Sequence, residues 1–282
     1  MNDSSKRILV TGAGGQLGQE FVRLENNQDE VIGCRRSDLD ITNAEQCRRI
    51  VDERKPDVIL HVAAYTAVDR AEIEPDLAYA VNVTGTKNMA EAAERIGAIF
   101  CYISTDYVFD GMETMPYEVS HPTDPRSVYG RTKLEGEQIA SETCSKVFIV
   151  RTSWVYGKYG NNFVKTMLRL ANERQEISVV NDQFGAPTYT YDLAVLLAEL
   201  VRSDQYGTYH VSNEGVCTWF EFAQTIFKEA GIEGITVRPC STLQFPRPAP
   251  RPAYSVLSPN SLIEAGFKPL RHWKEALRHF LS

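Results

Sequence analysis

The stretch Arg7-Ile8-Leu9-Val10-Thr11-Gly12-Ala13-Gly14-Gly15-Gln16-Leu17-Gly18 decides how this chain folds. A short run of apolar residues ending in Thr11 has the composition of a strand buried on both faces. Glycines at 12, 15 and 18 follow at once, and a helix-forming segment runs from Gln16 to about Glu25. A tight strand-to-helix turn needs a residue without Cβ, and a pyrophosphate needs close backbone approach and the amides of a helix N-terminus. The Gly-x-x-Gly-x-x-Gly spacing differs from the commonest dinucleotide fingerprint, Gly-x-Gly-x-x-Gly. A turn that uses glycine for geometry alone would carry the same letters. The position after the first strand and before the first helix favours a dinucleotide.

The same rhythm continues outward. Residues 30–34 form a second expected strand, and Thr42 with Glu45 reads as a capping box before a helix ending near Lys55. Strands are expected at 57–61, 98–104 and 146–152, with one long helix over 77–95 and another over 129–143. Near-continuous apolar strands between amphipathic helices predict an α/β fold, a Rossmann-type doubly wound parallel sheet. Beyond Val155 the pattern mixes helices at 163–173, 191–203 and 219–230 with brief strands at 209–212 and 235–239, then a proline-rich stretch at 245–254. We expect residues 1–155 to form the dinucleotide-binding domain. Residues 156–282 would be mainly a smaller mixed α/β substrate lobe, with some segments free to return to the first domain.

Composition narrows the function. The chain has 282 residues, 43% of them hydrophobic and 24% charged, which excludes disordered and fibrous classes. A net charge of −7 lacks the basic surplus of nucleic-acid binders, so no nucleic-acid partner is expected, although an acidic whole can hold a basic pocket for a small anion. The apolar run Ile8-Leu9-Val10 is too short for a secretory signal and no stretch reaches membrane length, so no membrane partner is expected. Six scattered cysteines without a Cys-x-x-Cys pair read as reduced thiols, and the dispersed histidines offer no metal-ligand spacing. The expected compartment is the cytoplasm.

Tyr129-Gly130-Arg131-Thr132-Lys133 places a phenol and an ammonium one helical turn apart. A phenol titrates near 10 and needs help to move a proton at neutral pH; a nearby ammonium supplies it. A surface tyrosine packing on a lysine stem would have the same spacing. Ser104-Thr105-Asp106-Tyr107-Val108-Phe109 directly follows the fourth strand, where a Thr105 hydroxyl could meet a reacting carbonyl or simply cap the strand end. After the second strand, where NAD-preferring proteins usually place an acid, this chain has Cys34 and then Arg35-Arg36. That pair suits a 2′-phosphate or is a pair of solvated arginines; Asp38 and Asp40 lie close enough in sequence to approach an adenine.

Together these motifs resemble the extended short-chain dehydrogenase/reductase family, and more narrowly its reductases of nucleotide-linked 4-keto sugars. The likeness extends over Thr11 to Gly18, Ala63-Ala64-Tyr65-Thr66-Ala67-Val68-Asp69, Asn82-Val83, Ser104 to Gly111, Tyr129 to Lys133, Arg151 to Gly157, Asn161-Asn162-Phe163, Asp182 to Thr188, and Arg251-Pro252 with Ser255. It implies hydride transfer from NADPH or NADH to the C4 ketone of dTDP-4-dehydro-β-L-rhamnose, giving dTDP-L-rhamnose. Thr105, Tyr129 and Lys133 would be catalytic. Gly12, Gly14, Gly15, Gln16, Leu17, Gly18, Arg35, Asp38, Asp40, Ile41, Ala63, Ala64 and Tyr65 would hold the cofactor together with Tyr129 and Lys133. Thr105, Asp106, Val108, Phe109, Trp154 and Arg251 would meet the nucleotide-sugar substrate. Trp154 also reads as a core aromatic, and Arg247 and Arg251 as solvated residues of a proline-rich loop. Some relatives pair into homodimers through Mg²⁺ held by glutamates; no residues here map to that site, so no metal ligand is assigned. Two alternatives share the scaffold. Epimerases and 4,6-dehydratases retain their nicotinamide, and the dehydratases need an Asp-Glu pair where this chain has Asp106-Tyr107. A non-catalytic subunit like the regulatory subunit of methionine adenosyltransferase would work through a partner.

Overall fold

Six strands form the central sheet: β1 (Arg7–Thr11), β2 (Glu30–Cys34), β3 (Val58–His61), β4 (Ile99–Thr105), β5 (Val147–Thr152) and, after the lobe strand β6 (Glu176–Val180), β7 (Gly207–His210). Every pairing is parallel and the spatial order is β7-β5-β4-β3-β1-β2. The computed structural model describes residues 5–24 and 28–282, so the expected end of the first helix at Glu25 lies outside the described residues.

Strand alternation sorts the core into two layers. Ile8, Val10, Val58, Leu60, Phe148 and Val150 face α1 (Gln16–Val22) and, beyond the lobe helix described below, α6 (Thr190–Leu200), which contributes Leu193, Leu196, Leu197 and Leu200. Leu9, Ile59, Phe100, Tyr102 and Ile149 face the opposite way, against α2 (Ala44–Arg54), α3 (Gly85–Ile96) and α4 (Val128–Thr143). Burial on both faces is why these strands read as continuous apolar runs.

Three local expectations change. Asn43, not Thr42, caps α2, accepting from the Gln46 amide at 3.0 Å, because the Thr42 hydroxyl donates instead to Asp40 at 2.7 Å. The helix expected over 77–95 is broken: a short helix at Pro75–Tyr79 passes through a π-helical turn at Ala80–Thr84 before α3 begins. There the buried Asn82 side chain binds the Tyr65 amide at 2.8 Å and the Thr132 hydroxyl at 3.0 Å, joining three segments. The helix expected at 191–203 runs from Thr190 and ends at Leu200.

The remaining chain builds a lobe from α5 (Phe163–Glu173), α7 (Trp219–Glu229), α8 (Trp273–Leu281) and the parallel pair β6 with β8 (Thr236–Cys240). Its core gathers Tyr156, Met167, Phe222, Ile226, Trp273 and Leu277. No helix among the described residues is long and apolar enough to cross a membrane.

Candidate active site

β1 is flanked by β2 on one side and β3 on the other, so the chain crosses to opposite faces from this point and leaves a crevice at the strand carboxyl ends. Gly12 ends the turn out of β1 at φ +67°, and a Cβ there would lie 2.7 Å from the Ala63 backbone beyond β3. The two strand ends are thus as close as a glycine permits. Below them the Thr11 hydroxyl accepts from the Ala63 amide at 3.1 Å and meets His61 Nδ1 at 2.9 Å. Burial holds His61 down at about 3, so it stays neutral and structural.

A cleft of about 860 Å³ opens there. Gly12, Gly15, Gln16 and Leu17 line one end with Asp40 and Ile41, while Ala63, Ala64 and Tyr65 line the wall. Thr105, Asp106, Tyr129, Lys133 and Trp154 line the far end. Gly15 caps α1 without a side-chain acceptor, and the first helical turn carries no acid, so nothing there competes with or repels a pyrophosphate. The cleft residues therefore fit a dinucleotide running from the glycine turn to the Tyr129 end.

Four expected cofactor residues fall outside the lining. A Cβ on Gly18 would lie 2.4 Å from the Gly12 carbonyl oxygen, so this glycine lets the helix pack beneath the turn instead of touching a ligand. Gly14 points outward to the Arg35 stem. Asp38 folds back to accept from the Arg35 amide at 2.9 Å, which fixes the post-β2 turn so that Arg36, and not Arg35, lines the cleft.

Ser127, fully buried, caps α4 by accepting from the Gly130 amide at 3.0 Å. A Cβ on Gly130 would sit 2.2 Å from the Tyr107 carbonyl oxygen. That glycine therefore lets the helix bearing Tyr129 and Lys133 press against the turn bearing Thr105. Tyr129 lies edge-on to Tyr107, with ring centroids 5.5 Å apart. Burial pushes the Tyr129 phenol up to about 12, with the Thr105 hydroxyl pulling it down and the Asp106 charge pushing it up. Burial also lowers Lys133 to about 7, partly offset by Glu137. The Lys133 ammonium donates to the Ile103 carbonyl at 2.6 Å and lies 3.9 Å from the centre of the Tyr102 ring. The expectation that Lys133 chiefly tunes Tyr129 is thus corrected: without a ligand, burial of the phenol outweighs the ammonium.

Thr105 ends β4 and caps the 3₁₀ turn Asp106–Val108. That turn swings Val108 and Phe109 inward, where Phe109 stacks on Tyr117 at 4.4 Å beneath the Arg151 guanidinium. Neither lines a cavity, which removes both from the substrate contacts expected of them. Arg151 in turn forms a buried two-pronged pair with Glu137 of α4, at 2.9 and 2.7 Å.

Trp154 holds φ at +47°, an unusual backbone for a bulky residue, and stacks on Trp219 at 3.6 Å with the rings nearly parallel. With Tyr107 it lines both the cleft and a second cavity of about 560 Å³. Phe163, Trp219, Phe245, Arg174, Arg247 and Arg251 contribute to that second cavity. Arg251 pairs with Asp69 at 2.9 Å, so the loop arginine is tied to the first domain rather than solvated.

The model of the RmlD substrate binding domain family matches residues 6–282. The chain belongs to this family. It is 46% identical over 277 residues to the spore coat polysaccharide biosynthesis protein SpsK of Bacillus subtilis, covering 98% of this chain and 97% of that protein. It is 42% identical to dTDP-4-dehydrorhamnose reductase of Aggregatibacter actinomycetemcomitans, with 97% of each chain covered. The crystal structure of dTDP-4-dehydrorhamnose reductase from Bacillus anthracis in complex with NADP superposes with a TM-score of 0.96 at 48% identity, covering 98% of this chain and 99% of that one. Family membership and the Rossmann-type sheet agree with the resemblance read from the motifs. Sequence reasoning missed Arg36, Thr42, Phe163, Trp219 and Ser255 as cavity-lining residues. Arg36 was one position from the residue chosen, whereas Phe163 and Trp219 look like ordinary core aromatics at helix starts and carried no separate signal.

Proposed function

We propose that the chain reduces the C4 ketone of dTDP-4-dehydro-β-L-rhamnose to give dTDP-L-rhamnose. The observation that carries this reading is one continuous surface. A glycine-cradled cleft ends at Thr105, Tyr129 and Lys133 and adjoins, through Tyr107 and Trp154, an aromatic cavity with three arginines. Stacking walls suit a base, guanidinium groups suit a diphosphate, and the junction leaves the sugar beside Tyr129. NAD(P)H, when bound, supplies the hydride. Tyr129 acts as the acid: with its phenol raised to about 12 it keeps its proton throughout the neutral range. Thr105 orients the ketone oxygen. Lys133, lowered to about 7 in the empty cleft, gains charge beside an anionic dinucleotide and holds the nicotinamide ribose. Residues 156–282 contribute most of the nucleotide-sugar wall, and Arg36 faces the adenosine end. The buried free cysteines fit a reducing compartment, so we place the reaction in the cytoplasm. A homodimer, carried over from the family resemblance, is checked by light scattering.

Purified protein is expected to oxidise NADPH only when a dTDP-4-keto-6-deoxyhexose is supplied. Tyr129→Phe should lower the rate by roughly 10²–10⁴ while still binding NADPH. Full turnover by that variant removes Tyr129 as the donor, and a preparation with NAD⁺ tightly retained and no net reduction would favour an epimerase.

A further inference from the structure

Thr105 holds one hydroxyl proton and two lone pairs, and more groups surround it than these can serve. The Tyr107 amide donates to its Oγ1 at 3.3 Å and occupies one lone pair. Asp106 Oδ1 lies 3.0 Å from the same oxygen, and the Tyr129 phenol faces it from α4. If Asp106 is a carboxylate, it takes the only Thr105 proton. The remaining lone pair then draws the Tyr129 proton, and neither hydroxyl points at a ketone. If Asp106 is a carboxylic acid, its own O–H fills that lone pair, and the protons of Thr105 and Tyr129 are both free to converge on the ketone oxygen.

We propose that Asp106 is a positioning residue that works in its protonated form, donating to Thr105 and so turning the Thr105 and Tyr129 hydroxyls toward the substrate carbonyl. The proposal rests on the reductase reading and adds a proton inventory to it. Three observations on the surroundings support it. Asp106 is only 3% exposed. Its Oδ2 is buried with no hydrogen-bond partner, a costly position for a full negative charge; the Ser255 hydroxyl looks toward the carboxyl without closing a bond to Oδ2. The groups that act on it are Ser255 from the C-terminal segment, Thr105, and the amides of Asp106 and Tyr107; Tyr129 faces it from α4, and no cation is among them. Burial accordingly raises the carboxyl to about 6, and filling the cleft with ligand desolvates it further. During the step the Tyr129 proton goes to the carbonyl oxygen as hydride reaches the carbon, while Asp106 keeps its own proton. It changes the orientation of donors and not the stoichiometry.

The sign follows directly. The productive form exists below the Asp106 pKa, so kcat/KM should fall as pH rises through it. Asp106→Ala, which leaves Thr105 without that donor, is expected to lower kcat about 100-fold at pH 6, the range seen on removing one oriented donor. Asp106→Asn carries a permanent amide donor, so it should recover at least ten-fold of that loss, with the alkaline fall of the parent flattened. Infrared difference spectra of the cofactor-free protein near pH 5 should contain a protonated-carboxyl band that disappears in Asp106→Asn, a readout that needs neither turnover nor ligand. Rates in Asp106→Asn as low as in Asp106→Ala with parent-like NADPH binding, a parent-like alkaline fall in Asp106→Asn, or no change in that infrared band would each overturn the proposal. Failure of the unaltered protein to reduce any 4-keto sugar would instead strike the reductase reading.

Discussion

Gly18→Ala separates the role of the glycine turn from that of the helix it opens. The new Cβ would stand 2.4 Å from the Gly12 carbonyl oxygen and 2.9 Å from Ala13 Cα, both backbone atoms that cannot rotate aside. An ordinary contact begins near 3.4 Å, so the turn or α1 must move by about 1 Å. Overpacking of this kind costs about 1–3 kcal/mol, and replacing a helical glycine by alanine returns about 1 kcal/mol, leaving a net loss of at most ~2 kcal/mol. For a domain of this size that is a fall in Tm of only several degrees. Cofactor binding should suffer far more, because a 1 Å misplacement of positioned groups can cost about 100-fold. The assay is titration of NADPH fluorescence in parallel with thermal denaturation. Gly14→Ala is the control, since its Cβ would meet only the Arg35 stem at 3.8 Å. A Gly18→Ala protein that binds NADPH as tightly as the parent would place the pyrophosphate elsewhere than the turn at residues 12–18.

Arg36→Ala should reduce the ratio of NADPH to NADH affinity by about ten-fold, the loss of one charge-assisted contact worth ~1.5 kcal/mol, and Arg35→Ala should change it little; KM values for both cofactors decide this. Glu137→Gln leaves the buried Arg151 guanidinium without its counter-charge and is expected to cost about 3–5 kcal/mol in urea denaturation, most of it returned when Arg151 is also replaced by an apolar residue of similar volume.

Much of the fold is visible in the letters because its physics is local. The strands β1, β3, β4 and β5 are buried on both faces, so each announces itself as an apolar run. Helix α4 begins where it does because Ser127 caps it, and Tyr129 and Lys133 are then fixed a turn apart. What stayed hidden depends on contacts distant in sequence. The break at Ala80–Thr84 serves Asn82, whose partners Tyr65 and Thr132 lie 17 and 50 residues away. The inward turn of Val108 and Phe109 depends on Tyr117 and Arg151, and the second cavity is assembled from residues between Tyr107 and Ser255. A motif can name the residue that ends a strand, but only packing decides which of its neighbours turn to the core.

That distinction bears on how one scaffold supports different sugar chemistry. A dehydratase-like site would need a second acid directly after Asp106, and here that place holds Tyr107. Its carbonyl oxygen receives the closest approach of α4 at Gly130, its ring meets Tyr129 edge-on, and its side chain lines both cavities. A glutamate introduced there would lose the aromatic contact and bring a third ionisable group beside Asp106 and Tyr129, in a region where burial already raises both. The simplest accommodation would be a further rise of the Asp106 and Tyr129 pKa values through like-charge repulsion. Tyr107→Glu should therefore slow ketone reduction without creating elimination, because the second acid would arrive without the surroundings that let it share a proton. Tyr107 thus belongs to the machinery of a reductase by what it keeps out as much as by what it touches.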